Sequence, residues 1–136
     1  MTRTNRVGRT AAFIGSLFVI ASLALGPSAA LAKDGDVIRH GRCTASSDWK
    51  LKLSPENGRI EVEFEVDQNR NGQTWKVVMK RNGSAFWRGQ RTTHAPSGSF
   101  EVRRLAADGA GSDRFVVRAR NPRSGEVCRG TATFNG

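Results

Sequence analysis

The chain predicts an all-β, antiparallel domain of seven to eight short strands closed by one disulfide, and three observations carry that expectation. Residues 59–67, RIEVEFEVD, alternate Ile60, Val62, Phe64 and Val66 with Glu61, Glu63, Glu65 and Asp67. Successive side chains on a strand point to opposite faces, so this segment has one buried face and one acidic, wet face. Similar short runs recur at regular spacing with turn signals between them, and no stretch beyond residue 32 shows a helical period. That pattern means a sandwich or a barrel. Finally, the only two cysteines, Cys43 and Cys128, lie near the two ends of this region.

The first 32 residues read as a cleaved signal peptide. Arg3, Arg6 and Arg9 precede the apolar run AAFIGSLFVIASLAL, Gly26-Pro27 breaks it, and Ala30-Leu31-Ala32 fits a small-x-small cleavage site. The run has 15 residues, against the roughly 20 a bilayer span needs, so export rather than anchoring is expected. Residues 33–136 then form one domain, secreted, monomeric and without a membrane span. In an exported chain an even cysteine count reads as a bridge, here one tying the first strand to the last. The three arginines of the leader account for part of the net charge of +10, leaving +7 on the rest. That charge is uneven: residues 33–67 hold 6 bases and 8 acids, residues 68–136 hold 13 and 4. A basic half is attracted to polyanions such as nucleic acid, teichoic-acid-like polymers, acidic glycans or anionic lipid.

Taken in order, Val37 to Thr44 predicts a first strand carrying Cys43. After a turn at 45–48, WKLKLS sets Trp49, Leu51 and Leu53 inward and Lys50 and Lys52 outward. Asn57-Gly58 is a hairpin signal, because both residues tolerate positive φ. A two-residue turn there sets Lys52 opposite Glu63 and Lys50 opposite Glu65; a four-residue loop sets them opposite Glu61 and Glu63. Either register places lysine on glutamate and marks the acidic row as structural. TWKVVMKR follows with Trp75, Val77 and Met79 inward and Lys76, Val78 and Lys80 outward. Asn82-Gly83 then turns into SAFWRGQRT; a tight turn pairs Met79 with Phe86 and Val78 with Trp87, so that Phe86 points in and Trp87 out. Phe100 and Val102 face inward on SFEVRRL, as do Phe115, Val117 and Ala119 on DRFVVRARN. Cys128, Ala132 and Phe134 share a phase on the last strand.

This order of signals resembles an immunoglobulin-like or fibronectin type III-like sandwich. Trp75 sits where such domains place the core tryptophan of strand C. Asp113-x-Phe115, with Ala119 and Asn121, looks like the D-x-Y-x-x-x-A-x-N run of strand F, Phe115 replacing tyrosine. The chain has no tyrosine, so a tyrosine corner is absent, and the cysteines depart from the immunoglobulin pattern. Cys43 precedes strand B and Cys128 falls in the last strand. The resemblance spans about 90 residues. The whole also looks like the small secreted β-sandwich proteins of unknown function from high-GC Gram-positive bacteria, which implies a compartment and no activity.

Catalytic signals are thin. His40 and His94 are the only histidines, neither in a metal-ligand spacing, and no Gly-x-Ser-x-Gly elbow occurs. Asp67-x-Asn69-x-Asn71-Gly72 imitates the start of a calcium loop, yet the closing glutamate position falls on Val78. Asn82-Gly83-Ser84 matches a glycosylation sequon that a type I′ turn already explains. No cofactor and no metal are expected. The expected function is a secreted, non-catalytic binding module for a polyanion or cell-surface glycan. Its surface is the outer face of strands 74–81, 84–91 and 114–121, where Val78, Trp87 and Val116 lie among Lys76, Lys80, Arg118 and Arg120. Trp87 and Arg88 cannot both point outward on a regular strand, so Arg88 joins this face only if a bulge intervenes. Aromatics in a basic field suit stacking on sugars or bases. Two alternatives are a protein-interaction or inhibitor domain acting through Arg91–Gly98 or Asn121–Gly125, and a small hydrolase using His40 or His94.

Overall fold

A computed structural model describes residues 34–136. The expected signal peptide, residues 1–32, lies outside the described residues. Eight strands follow one another: β1 (Val37–Arg42), β2 (Asp48–Glu56), β3 (Arg59–Asp67), β4 (Thr74–Arg81), β5 (Ser84–Thr92), β6 (Ser99–Ala107), β7 (Ser112–Arg120) and β8 (Val127–Asn135). They form two four-stranded antiparallel sheets, β1-β2-β3-β6 and β5-β4-β7-β8, packed as a sandwich. No helix occurs among the described residues.

The inward phases follow from burial of the alternating apolar residues. Leu51, Leu53, Ile60, Val62, Phe64 and Val66 from one sheet meet Trp75, Val77, Met79, Phe115, Val117 and Ala119 from the other, all buried. Trp75 lies 6.1 Å from Phe100, ring centre to ring centre, and donates its indole N–H to Gln68 Oε1 at 3.1 Å. Trp49 stacks on Phe64 and donates to the Arg42 carbonyl.

The β2–β3 hairpin takes the two-residue turn. Asn57 and Gly58 have φ of 49° and 72°, the left-handed pair that matches strand twist, and Lys52 faces Glu63 and Lys50 faces Glu65. Asn82 and Gly83, at 48° and 84°, repeat the device between β4 and β5. The Asn82 side chain donates to Asp113 Oδ1 and accepts the Arg114 N–H, so it serves the turn.

The disulfide joins Cys43, one residue beyond β1, to Cys128 in β8, 85 positions apart. Hydrogen bonds sew the same loop to β8. Thr44 N–H donates to the Val127 carbonyl, Val127 N–H to Thr44 Oγ1, and Ser47 N–H to the buried Glu126 carboxylate at 2.8 Å. One side of the sandwich is thereby closed covalently and by hydrogen bonds.

Two expectations need correction. The acidic row on β3 is not wet at its centre: Glu63 is buried, 7% exposed, beneath Lys50 at 3.5 Å and Arg103 at 2.9 Å. And Trp87 does not point outward. Lys80 pairs with Ala85 but Met79 pairs with Trp87 and Val78 with Arg88, so Phe86 is an extra residue at a β-bulge. Residues directly opposite share a face, which puts Trp87 on the inner side with Met79 and sends Arg88 outward with Val78.

Candidate functional site

Register fixes the composition of the outer face of the β5-β4-β7-β8 sheet. One transverse row runs Gln90, Lys76, Arg120, Val127; the next Arg88, Val78, Arg118, Arg129; the third Ala85, Lys80, Val116, Thr131. Arg114, opposite Thr133, completes the face. Seven cations stand here, all exposed, with no carboxylate on the face. Among the described residues none of the seven is in an ion pair with an acid, the ion pairs all lying elsewhere. Two cationic pairs sit directly opposite each other, Lys76 with Arg120 and Arg118 with Arg129. Such like-charge pairs destabilise a sheet. Half-buried Val78 and Val116 floor an open hollow of about 470 Å³, rimmed by Lys80, Arg88, Arg114, Arg118 and Arg129.

The opposite outer face is a control within the same molecule. There Lys50 bridges Glu63 and Glu65, and Lys52 meets Asp36 at 3.4 Å. Arg103 reaches Glu63, Glu101 and Glu61 at 2.9, 3.0 and 3.9 Å. Glu101 foremost, then Glu63 and Glu61, raises the Arg103 pKa further above its ordinary value, against the opposing effect of burial. That face also sets like charges opposite each other, Asp48 with Asp67 and Glu65 with Glu101, but Lys50 reaches Glu65 and Arg103 reaches Glu101. On the β5-β4-β7-β8 face no acid stands by to do the same.

Of the residues singled out in the sequence, Val78, Lys80, Val116 and Arg118 come together at the hollow, and Lys76 and Arg120 share its face one row away. Trp87 is elsewhere. Its indole lies half-buried at the open side between β5 and β6, with the guanidinium carbons of Arg104 and Arg91 at 4.5 and 5.0 Å from the ring centre. The ring lies across Gly89, where any Cβ would run into it. Phe86, at the bulge, packs edge-on against Phe115 at 6.1 Å. Burying roughly 100 Å² of indole stabilises by about 2.5 kcal/mol, and guanidinium over the ring adds to it. An indole left on the outer face would forgo that burial.

Arg88, expected here only if a bulge intervened, joins the hollow through the bulge between Met79 and Lys80, and Arg114 and Arg129, which sequence reasoning missed, complete it. Arg114 was legible, since it shares the two-residue phase of Val116 and Arg118. Arg129 required the β7–β8 pairing.

The remaining chemistry is dispersed. His40 lies on the other outer face beside Asp48, Lys50, Glu65 and Asp67 at a smaller hollow of about 270 Å³. His94 is exposed in the β5–β6 connection. Asp67 Oδ1 accepts the Asn69 N–H at 3.1 Å, using the calcium-like segment as a turn. Among the described residues no group of three or more His, Cys, Asp or Glu is placed to hold a metal ion, and no helix is long and apolar enough to cross a membrane. Asp113, buried on the inner side of β7, accepts from Gly109 N–H, Asn82 and Arg81. The Gly109 hydrogen bond, ahead of Asn82 and Arg81, holds its carboxyl below the usual range despite burial. It ties three segments together and stands apart from the basic face.

Comparison with known proteins finds no matching family model, no matching curated protein and no matching solved structure.

Proposed function

We propose that this protein is a non-catalytic binding module for a polyanion, acting through the outer face of the β5-β4-β7-β8 sheet. The observation that carries it is the pair of like-charge cross-strand contacts, Lys76–Arg120 and Arg118–Arg129, on a face without a carboxylate. Such contacts cost stability; the opposite face also sets Glu65 against Glu101, but there Lys50 and Arg103 supply counter-charge that the basic face lacks. An anionic ligand supplies what the basic face lacks. Exposed arginines gain most from phosphate-like or sulfate-like groups, whose binding releases counterions and weakens with salt. Export of residues 33–136 belongs to the same proposal, supported by the leader pattern of residues 1–32 and by the disulfide. So does an immunoglobulin-like kinship of the fibronectin type III kind. Its support is the order β2-β3-β6 facing β5-β4-β7-β8, with β1 as an added edge strand.

The test is titration of the protein with labelled polyanions near physiological salt, beside Arg118→Ala/Arg129→Ala and Trp87→Ala. Saturable binding that the double substitution weakens at least tenfold and Trp87→Ala leaves within twofold supports the proposal. Absence of binding, or binding indifferent to the two arginines, would reduce the charge to a solubility feature.

A further inference from the structure

We infer that the ligand of the basic face is a single-chain phosphodiester polymer, held through its backbone anions whatever bases or side groups it carries. This rests on the polyanion reading above and narrows it. Five of the seven cations are arginines, whose planar forks match two oxygens of one phosphate, where lysine offers a point charge. The cations occupy all four strands. With neighbouring strands about 4.8 Å apart, Arg88 to Arg129 spans about 14 Å, and Arg114 to Arg120 along β7 about 20 Å. One small anion meets one or two of these groups. A chain charged at every repeat meets three or more.

The bulge between Met79 and Lys80 supplies the second constraint. By turning Trp87 to the inner side it leaves a floor of valines, Val78 and Val116, and no aromatic on the face. Base stacking needs an aromatic platform, so the bases of a bound strand contribute no contact of that kind. The ring faces of a sulfated glycan find no such platform either. The third constraint is shape. Proteins that read a duplex send a helix or ribbon into a groove, whereas this face is a hollow on a sheet, which a flexible single chain can line.

The experiment titrates the protein with labelled oligothymidylate, an abasic deoxyribose-phosphate chain of equal length, the matching duplex, and a sulfated glycan. Each is run at about 50 and about 200 mM salt. Oligothymidylate and the abasic chain are expected to bind within about twofold of each other. Three to five phosphate contacts predict a loss of about 20- to 130-fold across that salt step, at a slope of about −0.7 per contact. Arg118→Ala/Arg129→Ala should flatten the slope by about 1.4. Oligothymidylate binding without abasic binding would overturn backbone-only recognition, and tighter duplex binding would overturn the single-chain assignment. Glycan binding alone would overturn the phosphodiester while leaving the polyanion reading intact. Binding of none of the four would remove both.

Discussion

At the scale of single residues, Asp113 and Trp87 decide most. Asp113 is buried and accepts hydrogen bonds from Gly109 in the β6–β7 connection and from Asn82 and Arg81 at the β4–β5 turn, joining both to β7. Its carboxyl titrates lower folded than unfolded. The contribution is therefore present above the unfolded pKa near 4 and lost as pH falls through the folded value. Asp113→Asn is expected to cost about 1.5–3 kcal/mol at neutral pH, because the charge-assisted bonds go. The variant should also lose part of the wild-type decline in stability below about pH 4. Urea midpoints at pH 7 and pH 3 measure both effects, and equal differences at the two pH values would refute the charge argument. Trp87 makes the opposite kind of prediction. Half-buried between β5 and β6 under Arg91 and Arg104, it is a packing residue. Trp87→Ala should cost about 1–3 kcal/mol, less than a fully buried aromatic, while polyanion affinity stays put. Gly89→Ala should displace the same ring, since its Cβ would occupy the indole's place, and should change the Trp87 fluorescence.

At the scale of elements, strands were legible where one face is uniformly apolar. Ile60, Val62, Phe64 and Val66 leave β3 one register, because a slip of one residue would expose the whole set. The two Asn-Gly turns were equally readable, since few residue pairs accept positive φ twice in succession. β5 was not legible. Phe86 and Trp87 are adjacent aromatics in a strand whose other positions are small or polar, so alternation alone cannot say which faces in. The choice is tertiary: Phe115 receives Phe86, and the gap beside β6 receives Trp87. Five of the seven cations and both floor valines were thus visible as phase within β4 and β7, and Arg88 and Arg129 waited on the bulge and the β7–β8 pairing. The disulfide was legible from count, but its companions were not. Thr44 and Glu126 bind across the same join, which predicts that the join weakens in part rather than dissolves on reduction. Cys43→Ala/Cys128→Ala should lower stability by about 4–5 kcal/mol if the 85-residue closure acts through the unfolded chain. The check is chemical denaturation of the double variant, with retained β-sheet circular dichroism showing that the sewn loop still assembles.

At the scale of the whole molecule, the sandwich has two outer faces of different electrostatic character, and stability and binding are coupled through the basic one. The paired face contributes little through any single exposed ion pair, because such pairs are worth a few tenths of a kcal/mol and are screened. The basic face works against the fold by a similar increment at each like-charge contact. Arg118→Thr/Arg129→Thr, which also places better strand formers at both positions, is therefore expected to raise the thermal midpoint at low salt. The charge part of that gain should fade as the Debye length shrinks from about 30 Å at 0.01 M to about 10 Å at 0.1 M. Wild type should show the mirror image and grow more stable with added salt. A polyanion has a larger effect than screening because it binds the folded face specifically. At a hundred times its dissociation constant it stabilises by about 2.7 kcal/mol, which for a domain of about 100 residues is a rise of roughly 10–20 °C. Differential scanning fluorimetry with and without the phosphodiester chain reads this directly, and the double variant separates its causes. If the face is the site, the variant starts higher and shifts little. A variant that starts lower, or shifts as far as wild type, would place the ligand elsewhere and leave the like-charge rows without the role assigned to them.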